Sequence, residues 1–330
     1  MYNLSKELKN KVITITGANG YIGTALIKEL ESYSVNKIIR ISRKKLNQRG
    51  NIEDWVLDLN EKKNWIKIVS QSDIIIHLSG NTSISAAEKN PADVLNSEIL
   101  PIINLINAAK ELSCKPRVVF ASTATIYGLT EYLPVNESYI PSPITYYDLH
   151  KYAVEHQLKM ASSINLIEAI SLRLANVYGP SSSESSSRDR GVLNKVTKMC
   201  FESKNLQVYG GGKYIRDYIY IDDVVNAFLY GGILDYDEIR KKNEIIFNVS
   251  SGKGTSIKKA FKLIGLEVER KAGIKLELIQ SPWPIGVNAI EKRNFIGSSE
   301  RLKSLTGWLP KTPIKEGIHA LVSHYSKGYN

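Results

Sequence analysis

The segment Thr16-Gly17-Ala18-Asn19-Gly20-Tyr21-Ile22-Gly23 constrains this chain more than any other feature. It follows a short β-branched run at residues 11–16 and precedes an amphipathic stretch at 21–33, so three glycines fall where a strand would turn into a helix. Glycine there permits a tight turn, and the missing side chains let backbone amides at a helix N-terminus approach a phosphate closely. In that context the spacing predicts a turn that cradles the pyrophosphate of a dinucleotide.

The same alternation runs through the first 180 residues. Strands are predicted at 37–42, 73–78, 117–121 and 168–174, and helices at 60–71, 84–112 and 147–163. Pro101 should start or kink a helix, because it lacks an amide donor. Alternating strands and helices predict an α/β fold, a Rossmann-type doubly wound parallel sheet over residues 1–180. The second half is less regular. Residues 181–187 form a Ser/Glu loop, most simply a flexible surface connection, followed by a helix near 191–201 and a short strand into Gly210-Gly211-Gly212. A smaller mixed α/β C-terminal lobe at 181–330, mainly for substrate, is expected, with segments returning to the first domain.

Composition narrows the partners. The 330 residues include 43% hydrophobic and 23% charged side chains, ordinary globular values that exclude disorder. Apolar runs such as 74–78 and 118–121 are far shorter than the roughly 20 residues of a membrane helix, and the N-terminus lacks the apolar core of a signal peptide. Cys114 and Cys200 make no disulfide framework, so the expected compartment is the cytoplasm. The net charge of +11 is spread over helix faces without an arginine-rich arm, which points to a phosphate-bearing small substrate and not to nucleic acid. Five histidines and two cysteines show no ligand spacing, so no metal is expected.

An acid about 20 residues beyond the glycine turn would bind the ribose hydroxyls of NAD, whereas arginine would suit the 2′-phosphate of NADP. Residues 35–50 contain no acid and carry Lys37, Arg40, Arg43, Lys44, Lys45 and Arg49, with Ser42-Arg43 at the predicted end of the second strand. The segment favours NADP(H), with NAD(H) as the alternative and a solvated basic loop as the bland reading.

Tyr147 and Lys151 are four apart and share a helix face. An ammonium beside a phenol stabilises phenolate, which would bring the tyrosine pKa down toward neutrality and make it a general acid or base.

Eight motifs in order give this pair its weight: residues 16–23, His77-Leu78-Ser79-Gly80, Ser122-Thr123-Ala124-Thr125-Ile126-Tyr127-Gly128, 147–151, Arg173-Leu174-Ala175-Asn176-Val177-Tyr178-Gly179-Pro180, Tyr214-Ile215-Arg216-Asp217-Tyr218, Asn248-Val249-Ser250-Ser251-Gly252 and Gly307-Trp308-Leu309-Pro310. Together they resemble the extended short-chain dehydrogenase/reductases, the NAD-dependent epimerase/dehydratase family acting on nucleotide sugars. The resemblance implies that Thr123 hydrogen-bonds the reacting sugar oxygen, Tyr147 is the acid/base, and Lys151 holds the nicotinamide ribose and tunes the phenol. It places Gly17, Asn19, Gly20, Tyr21, Ile22, Gly23, Ser42, Arg43, Asp58, Leu59, Leu78, Ser79 and Gly80 on the cofactor. It places Thr125, Asn176, Val192, Tyr209, Arg216 and Arg293 with Thr123 on the substrate, the arginines on its diphosphate. For either arginine the alternative is a surface ion pair.

Departures from the family pattern matter as well. Ala124-Thr125 stands where 4,6-dehydratases carry Asp-Glu, so a dehydratase is not expected. Gly297 replaces an aspartate near Arg293. Tyr-Asp-Leu-His-Lys is similar to a string of deoxysugar 4-ketoreductases, and His150 reads as a helix-surface histidine. The resemblance implies an NADPH-dependent 4-ketoreductase of a nucleotide-linked 4-keto sugar. A 4-epimerase with tightly held NAD is the first alternative, and a non-catalytic NADP-binding regulator the second. By analogy the helices at 84–112 and 147–163 would pair in a homodimer.

Overall fold

A computed structural model describes residues 2–44, 50–80, 83–187, 190–202, 205–242 and 244–328. Lys45 and Arg49 of the basic segment lie outside the described residues. In chain order the first half comprises α1 (Leu4–Glu7), β1 (Val12–Thr16), α2 (Tyr21–Leu30), β2 (Lys37–Ser42), β3 (Ile52–Val56), α3 (Lys62–Gln71) and β4 (Ile74–His77). It continues with α4 (Ile84–Lys89), α5 (Pro91–Leu112), β5 (Arg117–Thr123), α6 (Tyr146–Ser163) and β6 (Glu168–Leu174). Then follow β7 (Asn176–Tyr178), α7 (Val192–Phe201), β8 (Leu206–Tyr209), β9 (Ile215–Tyr220), α8 (Ile221–Ile233), α9 (Tyr236–Lys242) and β10 (Ile246–Val249). The chain ends with β11 (Gly254–Ser256), α10 (Ile257–Ala272), β12 (Leu278–Ser281), α11 (Glu300–Thr306) and α12 (Ile314–Ser326).

Among the described residues seven parallel strands form one sheet in the order β3-β2-β1-β4-β5-β6-β10. The chain runs outward from β1 to β3, then crosses back to β4 on the other side of β1. The loops after β1 and β4 therefore diverge, which opens a crevice at the carboxyl ends of the strands. Strands buried on both faces need unbroken apolar runs, and Ile74-Ile75-Ile76 and Val118-Val119-Phe120 supply them, none more than 4% exposed. Behind them α8 packs against β4, β5 and β6. Two smaller sheets, β11-β9-β7 and β12-β8, occupy the C-terminal part with α7, α10 and α12 around a second core that includes Phe201, Phe261 and Leu321.

Two strands differ from the sequence expectation. β3 was not anticipated because Glu53 and Asp54 interrupt its apolar pattern. Both acids are used sideways on β2: Glu53 pairs with Lys37 at 2.7 Å, and Asp54 takes a two-pronged bond from Arg40 at 2.6 and 2.8 Å. Lys37 and Arg40 are thereby committed to the sheet edge, which leaves Arg43 and Lys44 as the exposed basic residues described at the end of β2. The Arg40–Asp54 pair is 2% and 3% exposed. Asp54→Ala would take the carboxylate from a buried guanidinium, so urea unfolding should show a clear loss, larger than the under ~1 kcal/mol of a surface pair. The other addition, β10, brings 246–249 back to the edge of the main sheet beside β6.

The stretch at 84–112 breaks at Asn90, whose side chain accepts from the Asp93 amide and caps α5. The proline that starts the helix is Pro91, at the first position, where a missing N–H is harmless. Pro101 instead lies buried inside α5, which continues through it; the expectation that it starts a helix is corrected.

Candidate active site

Gly17 leaves β1 with φ of +66°, and a side chain there would come within 2.9 Å of the Leu78 carbonyl carbon and the Ser79 amide. The two loops flanking the crevice are thus in backbone contact, and the Ser79 amide donates to Thr16 Oγ1 at 3.2 Å. Gly23 has no room for a methyl group, since a Cβ would lie 2.5 Å from the Gly17 carbonyl oxygen. Gly20 caps α2 without a side-chain acceptor, so the first-turn amides face a ligand or water. These amides fit a pyrophosphate. Of the other residues expected on the cofactor, Leu78 to Gly80 in sequence follow β4 and Ser42-Arg43 end β2. Asp58 and Leu59 lie beyond β3, where Asp58 accepts from the Asn60 amide and the Leu59 carbonyl accepts from Trp65 Nε1. Tyr21 bonds the Gly179 carbonyl oxygen at 2.8 Å.

The loop at 181–187 does not stand clear of the body as expected. Ser181 and Ser185 are buried, and Ser186 donates to the Asn19 carbonyl through both its amide (2.8 Å) and its hydroxyl (2.9 Å). It lies against the glycine turn.

Thr123 ends β5, and Tyr147 and Lys151 project from α6; Thr123 lies close enough to the Tyr147 phenol to favour its ionised form. The three residues therefore come together. The electrostatics correct the sequence reading, however. Burial, then the charges of Glu98 and Asp148, push the Tyr147 pKa above its ordinary value, and Thr123 and Arg190 only partly oppose them. The Lys151 ammonium is 2.9 Å from Glu98 Oε2, donates to the Ala121 carbonyl at 3.2 Å, and lies 4.7 Å from the centre of the Phe120 ring. Its charge is paired with a carboxylate, and burial with the charges of Glu98 and Asp148 favours the neutral phenol. Glu98 was missed by the sequence reading, although a signal existed: Val94, Glu98 and Ile102 follow one another at four-residue spacing on the buried face of α5. The same spacing, His150 to Val154 to Leu158, puts His150 inside at 6% exposure and overturns its surface reading.

On the substrate side Arg216 and Arg293 are buried at 3% and 8%. Among the described residues neither makes an ion pair, which corrects the surface-pair alternative. Arg216 donates to the Arg293 carbonyl and, at 2.7 Å, to that of Glu291; Arg293 donates to the Ile290 carbonyl at 2.9 Å. Burial and the neighbouring Arg216 bring the Arg293 pKa down to about 10. Two buried like charges with no ion pair among the described residues suit an anion. Asp217 steadies them by binding the amides of Ser251, Gly252 and Gly297. Gly297 is required, because a Cβ would meet Ser250 Oγ at 2.1 Å. Asn176 sits on β7 opposite Tyr218, half-buried; Val192 opens α7, exposed; and Thr125 bonds Thr123 at 2.8 Å. Tyr209 stacks on Trp283, ring centres 5.9 Å apart, and Trp283 was not anticipated. Among the described residues no cluster of His, Cys, Asp or Glu is arranged for a metal, and no helix is long and apolar enough to cross a membrane.

A doubly wound sheet with a glycine turn at its switch point and a Thr-Tyr-Lys set across from it defines the extended short-chain dehydrogenase/reductase class. The family model described as the NAD dependent epimerase/dehydratase family matches residues 13–249, and the chain belongs to that family of enzymes. A provisionally named UDP-glucose 4-epimerase of Methanocaldococcus jannaschii is 28% identical over 94% of this chain and 97% of its own. The dTDP-4-dehydro-6-deoxyglucose reductase of Escherichia coli is 28% identical over 95% and 97%. The fold is similar to that of the Thermotoga maritima UDP-glucose 4-epimerase solved with UDP-glucose, with a TM-score of 0.82, 25% identity and coverage of 97% and 100%.

Proposed function

We propose that the protein is an NADPH-dependent 4-ketoreductase of a nucleotide-diphosphate 4-keto sugar. The observation that carries this reading is the meeting of Tyr147 and Lys151 on α6 with Thr123 at the carboxyl end of β5, where burial favours the neutral phenol. Reduction of a ketone consumes a proton, and a neutral phenol can donate one. Thr123 steadies the reacting oxygen, Lys151 and the glycine-turn amides hold the cofactor, and Arg216 with Arg293 neutralises the diphosphate. When bound, the reduced nicotinamide supplies the hydride. The likeness to the E. coli reductase supports this assignment.

Exposed Arg43 beyond β2 is the group proposed for the 2′-phosphate. Arg43→Ala should raise the KM for NADPH roughly tenfold and leave NADH use unchanged, in line with a charge-assisted bond of about 1.5–3 kcal/mol. Equal effects on both cofactors would reject that role.

A 4-epimerase is the second reading, supported by the likeness to the M. jannaschii and T. maritima proteins. Protein that purifies loaded with NAD and interconverts two nucleotide sugars without added NADPH would establish it. We also propose a homodimer through α5 and α6, which expose Leu95, Ile103, Leu149 and Met160. Sedimentation equilibrium should give twice the chain mass, and Leu149→Glu should return it to the monomer.

A further inference from the structure

Glu98 is a buried carboxylate that the proposed reduction does not use. It lies on the inner face of α5, and its Oε2 is 2.9 Å from the Lys151 ammonium. On its other side is the loop after β4, where a side chain on Gly80 would collide with Glu98 Oε1. That loop meets the glycine turn at Gly17, so the carboxylate stands between Lys151 and the backbone that borders the cofactor crevice. We propose that Glu98 sets the balance between oxidised and reduced cofactor, by cancelling the Lys151 charge that would otherwise oppose a cationic nicotinamide. The proposal rests on the reading that Lys151 holds the nicotinamide ribose, and it adds what decides which way hydride moves.

The physical reason is a difference of one charge. Delivery of hydride to the keto carbon, with the proton from Tyr147, leaves the nicotinamide, neutral before, with one positive charge. A lone ammonium beside the ring would penalise that outcome and hold the hydride on the cofactor. Paired with Glu98, Lys151 keeps its ammonium for the ribose while the pair carries no net charge.

The groups around the pair are engaged or neutral. Phe120, whose ring centre is 4.7 Å from the ammonium, is apolar and buried, so the charges are weakly screened. Burial, and then the Lys151 charge, bring the His77 pKa down to about 3, which leaves that ring neutral at pH 7. Glu155 is paired with Arg173, and Asp148 accepts from the Thr125 and Thr145 hydroxyls. Asp148 and Arg190, whose charges reach the Tyr147 phenol, are unchanged in every variant below.

The native enzyme, Glu98→Gln, Lys151→Met and the double variant separate charge from structure. Calorimetric titration of NADP⁺ and of NADPH into each gives the ratio of the two affinities without any turnover. Contacts to the ribose, adenine and phosphates are common to both forms and cancel in that ratio. Glu98→Gln leaves one positive charge beside the ring and should weaken NADP⁺ relative to NADPH by about tenfold or more, while Lys151→Met leaves one negative charge and should move the ratio as far the other way. The double variant has neither charge, so its ratio should return to within about threefold of the native value although both affinities are lower. A merely structural Glu98 predicts that both affinities fall together in Glu98→Gln with the ratio unmoved, and that outcome overturns the proposal. A double variant that keeps the ratio of Glu98→Gln also overturns it. Should Glu98→Gln not fold, Lys151→Met and the double variant decide, because they differ only by the charge at position 98; equal ratios in the two overturn the proposal. If the native protein binds NAD⁺ and NADH instead, the same ratios are read with that pair. Native protein that binds neither pair would reject the cofactor reading and the proposal with it, a failure distinct from binding with an unmoved ratio.

Discussion

Tyr147→Phe should reduce carbonyl reduction by about 10²–10⁴-fold, the range of a lost general acid, while leaving the melting temperature and NADPH affinity nearly unchanged. The substitution removes one oxygen from a half-buried ring and keeps the ring's packing. Its neighbour Thr123 keeps its contact with Thr125. The pH profile of the native enzyme supplies the sign. Because burial and the charges of Glu98 and Asp148 raise the phenol pKa, the donating form persists through neutrality into alkaline solution. Turnover in the reductive direction should therefore show no alkaline fall near pH 7–8 attributable to Tyr147, whereas a phenol tuned to neutrality would give one. Stopped-flow decay of NADPH absorbance measures both effects.

Lys151→Met should cost about 3–5 kcal/mol of folding stability, because it leaves the Glu98 carboxylate buried without its ammonium. Glu98 is 1% exposed and Lys151 is 3% exposed, so neither group has water to fall back on. Adding Glu98→Gln to Lys151→Met should restore much of that stability, since a buried amide costs less than a carboxylate that has lost its ammonium. Activity should not return with it, because the ammonium proposed to hold the nicotinamide ribose is still missing. Urea unfolding beside NADPH titration separates the two losses. Full recovery of cofactor binding in the double variant would show that Lys151 acts only as the counter-ion of Glu98.

The sequence made the fold legible where local pattern and burial agree. Ile74-Ile75-Ile76 and Val118-Val119-Phe120 are apolar because both faces of their strands are covered, and the glycines after Thr16 are fixed by a turn with no room for Cβ. β3 escaped notice because its acids serve Lys37 and Arg40 across the sheet, and those partners come from a strand separated by a loop. Tyr147 and Lys151 were readable from their four-residue spacing on one face of α6, and Thr123 from the family resemblance of its motif at the end of β5. The direction of the Tyr147 shift was not readable. It depends first on burial in the folded chain and then on Glu98, 49 positions before Tyr147 in the sequence, brought under Lys151 by packing of α5 on α6. Similarly, the burial of Arg216 and Arg293 without an ion pair among the described residues emerges only when 291–293 fold back on β9.

The proposed reduction requires net hydride delivery to C4 of a nucleotide-linked keto sugar. It is tested most directly by incubating the protein with NADPH deuterated at the transferring position and a panel of such sugars, then weighing the products. The account predicts one deuterium at C4 of the product and one NADP⁺ formed per sugar, with both signals lost in Tyr147→Phe. Sugars interconverted without net oxidation of NADPH, or deuterium transfer that survives in Tyr147→Phe, would contradict it.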